Sequence, residues 1–154
     1  MAIGQGYLLV TPLQVNFMTN VIASGGKLCR PKIGKWEVGS GKWEQNCQDV
    51  GLKKETIALI KEGMKEACSI GGTGWPFFDF KIGGQNVSVG CKTGTAEFGD
   101  PKNRTHAWFT VFAPWDKPKI TLTVLVEGAG EGSNIAAPIA KKVLEGWLPD
   151  KLTN

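Results

Sequence analysis

The amino-acid sequence predicts an α+β domain: an antiparallel sheet, built as a three-strand meander and covered by helices. Three observations predict it. Helix-type spacing of apolar residues comes first, twice over. Period-two alternation then runs through three consecutive segments joined by short turns, so the strands run antiparallel. A last helix-type segment closes the chain and must cover one face of the sheet.

The first helix is announced by Thr11-Pro12-Leu13-Gln14. Thr11 suits the cap, Pro12 the first helical position, and Gln14 closes a capping box. Leu13, Phe17 and Val21 recur every four residues with Met18 and Ile22 beside them, and Gly25-Gly26 ends the helix. From Cys29 to Asp49 the chain is polar and turn-rich, with Pro31, Gly34 and Gly39-Ser40-Gly41, interrupted by Trp36 and Trp43. This segment is expected to be a small β-excursion or a loop. Ile57, Ile60, Met64 and Ala67 define a second helix, stopped by Gly71-Gly72. A Gly- and aromatic-rich loop, Gly74-Trp75-Pro76-Phe77-Phe78, follows.

From Val87 the period becomes two. Val87, Val89 and Cys91 take one face of a strand, and Ser88, Gly90 and Lys92 the other. His106 to Ala113 is apolar on both faces, as in a strand covered on both sides. Pro114 to Pro118 makes the turn, and Ile120, Leu122, Val124 and Val126 alternate through the third strand. Ser133 is expected to cap a last helix with Ile135, Ile139, Val143 and Trp147 as its apolar face.

Composition bounds the function. At 154 residues, 42% hydrophobic and 21% charged, the chain fits one compact domain and not a disordered one. Lys and Arg exceed Asp and Glu by 18 to 14, and the basic residues form no run, which argues against nucleic acid as a partner. No stretch approaches the length of a membrane span, and Met1 to Val10 lacks the charged region of a signal peptide. The chain is therefore expected to carry neither anchor nor leader. Cys29, Cys47, Cys68 and Cys91 form no C-x-x-C pair and His106 is the sole histidine, so no metal site or cofactor is expected. The cysteines read as small, mostly buried thiols, or as one or two disulfides if the domain works outside the cytoplasm.

The sharpest chemical signal is Lys92-Thr93-Gly94-Thr95, near the end of the first strand. Lys92 and Gly94 share a face, which sets an ammonium beside a place with no side chain, where a ligand backbone can approach. The Thr93 and Thr95 hydroxyls and the Thr95 N–H are donors for a carboxylate or an oxyanion. K-T-G is one of three motifs of the serine acyl-transferases that include penicillin-binding proteins and β-lactamases.

In this context the whole chain, from about Ala2 to Trp147, resembles the C-terminal part of the transpeptidase domain of a class B penicillin-binding protein. The resemblance rests on Gly4-Gln5-Gly6 before Thr11-Pro12-Leu13-Gln14; Ala23-Ser24-Gly25-Gly26; Val89 to Glu97; His106-Ala107-Trp108-Phe109 running to Phe112-Ala113-Pro114; and Ala136-Ala137-Pro138-Ile139-Ala140, in family order. It implies that residues 1–150 are one portion of a transpeptidase domain, with 151–154 a tail.

The resemblance also implies acyl transfer. A serine attacks the penultimate D-alanine carbonyl of a peptidoglycan stem peptide, and β-lactams mimic that peptide end. Lys92, Thr93 and Thr95 would hold the substrate carboxylate, Gly94 would leave room for the peptide, and the Thr95 N–H would be one oxyanion-hole donor. The resemblance implies work at the extracytoplasmic face of the cell membrane, held by an anchor not expected within this chain.

The family's nucleophile motif S-x-x-K and its S-x-N motif lie before the Gly-Gln-Gly segment. No serine here has Asn two residues later. Only Ser24-Gly25-Gly26-Lys27 satisfies S-x-x-K, and its two glycines end a helix where the motif should open one. The chain alone is therefore expected neither to cross-link peptide nor to acylate with penicillin. The missing portion, or a self-association partner, should cover one bare sheet edge and one face of the first helix. A non-catalytic scaffolding module of the same fold, a D,D-carboxypeptidase and a β-lactam sensor are the competing readings. His106 and Cys91 read as packing residues. Glu97 and Asp100 read as cleft-mouth or plain loop carboxylates, and Trp75-Pro76-Phe77-Phe78 as the one cluster able to form an exposed contact surface.

Overall fold

The computed structural model describes residues 6, 8–31 and 46–149. Trp36, Trp43, Gly34, Gly39-Ser40-Gly41, Gly4-Gln5 and the 151–154 tail lie outside the described residues.

Helix α1 (Pro12–Ala23) starts as its sequence dictates. The Gln14 N–H donates to the Thr11 hydroxyl at 3.3 Å, and the Thr11 N–H donates to Gln14 Oε1 at 2.8 Å. The chain leaves the helix through Gly25 and Gly26, at φ +77° and +102°, where the Gly26 N–H donates to the Val21 carbonyl at 2.7 Å.

The buried face of α1 differs from the expected one. Val21 and Ile22 are buried, but Leu13 and Met18 are exposed, and Thr19 takes an interior place. The reason is a hydroxyl seam. Thr19 and Thr110 hydroxyls lie 2.7 Å apart, Thr110 and Thr123 2.8 Å, and Thr121 donates to Asn16 at 3.2 Å. Buried polar groups that satisfy one another tolerate burial, so a polar row displaces an apolar one.

β1 (Lys27–Cys29) pairs antiparallel with β2 (Cys47–Asp49), which gives the expected β-excursion at its two ends. Helix α2 (Lys54–Ala67) buries Ile57 and leaves Ile60 partly exposed. A 3-10 turn (Trp75–Phe77) and a two-residue ribbon, β3 (Lys81–Ile82) with β4 (Gln85–Asn86), follow. The ribbon is too short for an alternation to announce it.

The meander is β5 (Gly90–Glu97), β6 (Thr105–Ala113) and β7 (Ile120–Val126), antiparallel in that order. Its first strand starts at Gly90, three residues later than expected, although Val89 is still buried. Ala107, Phe109 and Val111 point into the core with Cys91. There Phe77 stacks on Phe109 with ring centroids 5.3 Å apart. Thr110 meets α1 on the opposite face. Trp115 pins α2 to the β6–β7 turn: its indole N–H donates to the Lys61 carbonyl at 3.0 Å, and Lys65 Nζ sits 4.5 Å from the ring centroid.

The chain closes with a π-helical turn (Gly132–Ala136) leading into α3 (Ala137–Trp147). Here the expected apolar face is overturned. Ile135, Ile139, Val143 and Trp147 are 37, 42, 44 and 36% exposed. The buried row is one position on: Ala136, Ala137, Ala140, Leu144 and Leu148. Short alanines let the helix lie close on the sheet over Ala107, and dense contact outweighs the burial of larger side chains. Ser133 lies inside the π turn, and the cap position falls on Glu131.

Candidate functional site

β5 is an edge strand, and it carries Lys92, Thr93, Gly94 and Thr95 in succession. The register with β6 assigns the faces. Lys92 opposes Thr110 and Gly94 opposes Trp108, while Thr93 opposes Phe109 and Thr95 opposes Ala107. Lys92 and Gly94 thus share one face, as the sequence implied, and the two threonines share the other. Lys92 is exposed and its ammonium donates to the Thr93 carbonyl.

Gly94 is closely packed. A β-carbon there would lie 3.0 Å from the Trp108 Cβ. Gly132 packs on the strand pair at the same level: its own β-carbon would lie 2.0 Å from the Trp108 carbonyl oxygen and 2.6 Å from that of Gly94. The turn before α3 therefore braces the K-T-G backbone. A second brace comes from the segment after α2. The Thr93 hydroxyl donates to the Thr73 hydroxyl at 3.0 Å, and the Trp75 indole N–H donates to Asn134 Oδ1 at 3.3 Å. Thr73, Gly132 and Asn134 were not singled out in the sequence. The one available signal was the tight Gly72-Thr73-Gly74 spacing, which marks a close approach without naming its target.

The cysteines are not free. Cys29 is joined to Cys47 across β1 and β2, and Cys68 to Cys91. The second bridge ties the end of α2 to the residue before Lys92. Four cysteines allow three pairings, and spacing alone does not choose among them. Cys91 is fully buried, and its role is a cross-link within the core.

The remaining candidates take structural places. His106 Nδ1 accepts the Gly128 N–H at 3.0 Å, and its ring stacks on Phe98 at 4.0 Å. The Ser24 hydroxyl donates to the Lys27 carbonyl at 2.9 Å and accepts the Lys27 N–H at 3.2 Å, a turn that joins α1 to β1. Glu97 is exposed at the strand end. In the Trp75 to Phe78 cluster Trp75 is exposed, while Pro76 and Phe77 are buried. No group of His, Cys, Asp and Glu among the described residues is arranged to hold a metal ion.

Asp100 organises the β5–β6 loop. It accepts Arg104 Nε and Nη2 at 3.0 and 2.9 Å, and the Lys102 N–H at 3.0 Å. The Arg104 side-chain hydrogen bonds, the largest cause, lower the Asp100 carboxyl from 3.8 to about 2. A depressed folded-state value gives stability that is present above about pH 4 and lost as pH falls toward 2. Carboxyl-carbon NMR titration is expected to show an Asp100 midpoint near 2, moving up toward 3.8 in Arg104→Ala. A midpoint near 4 in the unsubstituted chain contradicts the loop geometry.

The geometry finds its counterpart among known proteins. Residues 1–145 match the family model of the penicillin binding protein transpeptidase domain. The chain is 34% identical to the peptidoglycan D,D-transpeptidase MrdA of Haemophilus influenzae, over 97% of this chain and 25% of that protein. It superposes on Pseudomonas aeruginosa PBP2, solved with WCK 5153, with a TM-score of 0.79 and 31% identity, covering 94% of this chain and 31% of that one. It also matches penicillin-binding protein A of Mycobacterium tuberculosis, solved as a ceftriaxone acyl-enzyme complex, with a TM-score of 0.75 and 32% identity, covering 94% and 34%. The chain thus spans about a quarter to a third of the length of these relatives. On the family model, the sequence relatives and the solved folds together, this chain belongs to the penicillin-binding protein transpeptidase domain family.

Proposed function

We propose that the chain is the C-terminal portion of a serine D,D-transpeptidase domain, residues 1–150 with a short tail at 151–154, and that it supplies the K-T-G half of the site. The observation that carries this reading is Lys92-Thr93-Gly94-Thr95 on an edge strand, with the Gly94 backbone braced by Gly132. An edge strand offers unpaired N–H and C=O groups to an extended peptide, which binds by adding a strand. The stem peptide's terminal carboxylate, or that of a β-lactam, binds the Thr93 and Thr95 hydroxyls under the field of Lys92. The Thr95 N–H donates to the oxyanion that forms when the serine attacks. An amine acceptor then takes the acyl group and cross-links the wall.

The serine and its base come from residues outside this chain. Ser24 is committed to its turn, and nucleophile and base act as a unit. The remainder of the domain docks on the apolar surface this chain leaves open, including Leu8, Leu9, Leu13 and Met18, and on the free edge of β7. In its absence that surface self-associates. The two disulfides support work at the extracytoplasmic face of the membrane, where disulfides persist. No described helix is long and apolar enough to cross a membrane.

In the complete polypeptide, Lys92→Ala is expected to lower acylation by penicillin about a hundredfold or more, the scale of one lost electrostatic contact at the reacting group. Release of D-alanine from a stem peptide, with a cross-linked product when an amine is supplied, is the matching activity. Unchanged acylation in Lys92→Ala contradicts the reading. Release of D-alanine into water alone favours a carboxypeptidase.

A further inference from the structure

We propose that Thr73 is a positioning residue for the substrate carboxylate, acting through the Thr93 hydroxyl. This rests on the transpeptidase reading above and names a residue outside the K-T-G segment. A threonine hydroxyl has one proton to give and lone pairs to accept. In the structure Thr93 gives its proton to Thr73 Oγ1 at 3.0 Å. A carboxylate at Thr93 takes that proton instead, because a charged acceptor outcompetes a neutral hydroxyl. Thr73 then turns its own proton onto Thr93 Oγ1. The two hydroxyls form a short relay, and the Thr93 oxygen stays in place throughout because its partner is always in reach.

Thr73 is held for this task by its neighbours. A β-carbon on Gly72 would lie 2.4 Å from the Ala67 and Glu66 carbonyl oxygens. One on Gly74 would lie 2.7 Å from Cys91 Sγ and 2.8 Å from Cys68 Sγ. The Gly74 N–H donates to the Ala67 carbonyl at 2.7 Å. Two glycines thus press the segment onto the end of α2 and onto the disulfide that precedes Lys92. Thr73 is itself exposed, so its hydroxyl has little to do for the fold, and its geometry is spent on Thr93.

The test uses the complete polypeptide with Thr73→Val, which keeps the shape and removes the hydroxyl, and Thr73→Ser, which restores it. Second-order acylation rates are measured with penicillin G and with its methyl ester, which lacks the anionic carboxylate. Thr73→Val is expected to lose about tenfold with penicillin G, the upper scale of one lost hydrogen bond between neutral groups, and to stay within about twofold of the parent with the ester. Thr73→Ser is expected to recover the parent rate with both. An unchanged rate with penicillin G, or an equal loss with both ligands, overturns the inference and leaves the transpeptidase reading standing. A parent polypeptide that penicillin G does not acylate overturns that reading, and this inference with it.

Discussion

Alanine at position 132 is expected to cost about 3 kcal/mol or more, because the new β-carbon has no room. It would sit 2.0 Å from the Trp108 carbonyl oxygen, 2.6 Å from the Gly94 carbonyl oxygen and 3.0 Å from the Gly94 nitrogen. All three are backbone atoms of β5 and β6, so no side chain can swing aside. The π turn must lift, and Ala136, Ala137 and Ala140 lift with it from the sheet. The control is Gly146→Ala inside α3, where a β-carbon meets nothing within 4 Å. There alanine is expected to stabilise by about 0.5–1 kcal/mol, since glycine is a poor helix former. The same substitution, fourteen positions apart on the same closing element, is thus expected to have opposite signs. Urea unfolding of the two variants measures this. A Gly132→Ala midpoint equal to the parent's contradicts the close packing of this turn on β5 and β6. In the complete polypeptide Gly132→Ala should also slow acylation, because Gly94 loses its brace.

Sequence made the secondary elements readable where local chemistry decides them. The Thr11-Gln14 capping box, the Gly25-Gly26 exit and the alternation from Ile120 to Val126 each specify themselves. The faces of Lys92, Thr93, Gly94 and Thr95 were legible for the same reason, since four adjacent residues on one strand fix their own alternation. Long-range choices were not legible. The phase of α3 depends on a π turn and on how closely alanines approach the sheet, so the apolar row was placed one residue early. Burial of Thr19 depends on Thr110, distant in the chain, offering a hydroxyl. The disulfide pairing, and the contacts of Thr73 and Gly132 with the K-T-G strand, arise only when the segments meet.

The largest expected effect concerns the chain by itself. Removing nucleophile and base from a serine acyl-transferase costs on the order of 10⁶-fold in rate, with only binding and oxyanion contacts left. On the proposed reading, Lys92, Thr93 and Thr95 orient a carboxylate and the nucleophile lies elsewhere. The sole S-x-x-K serine, Ser24, spends its proton on the Lys27 carbonyl at 2.9 Å, in a turn and not on a helix. Lys27 opens β1, so its ammonium is not one helical turn from Ser24.

The direct measurement is a denaturing gel with fluorescent penicillin, run on the chain alone and on the complete polypeptide, followed by peptide mapping of the label. The expected result is no covalent band for residues 1–154 alone, and a stoichiometric band for the complete polypeptide with the label on a serine outside this segment. A stoichiometric adduct on the isolated chain, or a label mapping to Ser24, contradicts the account.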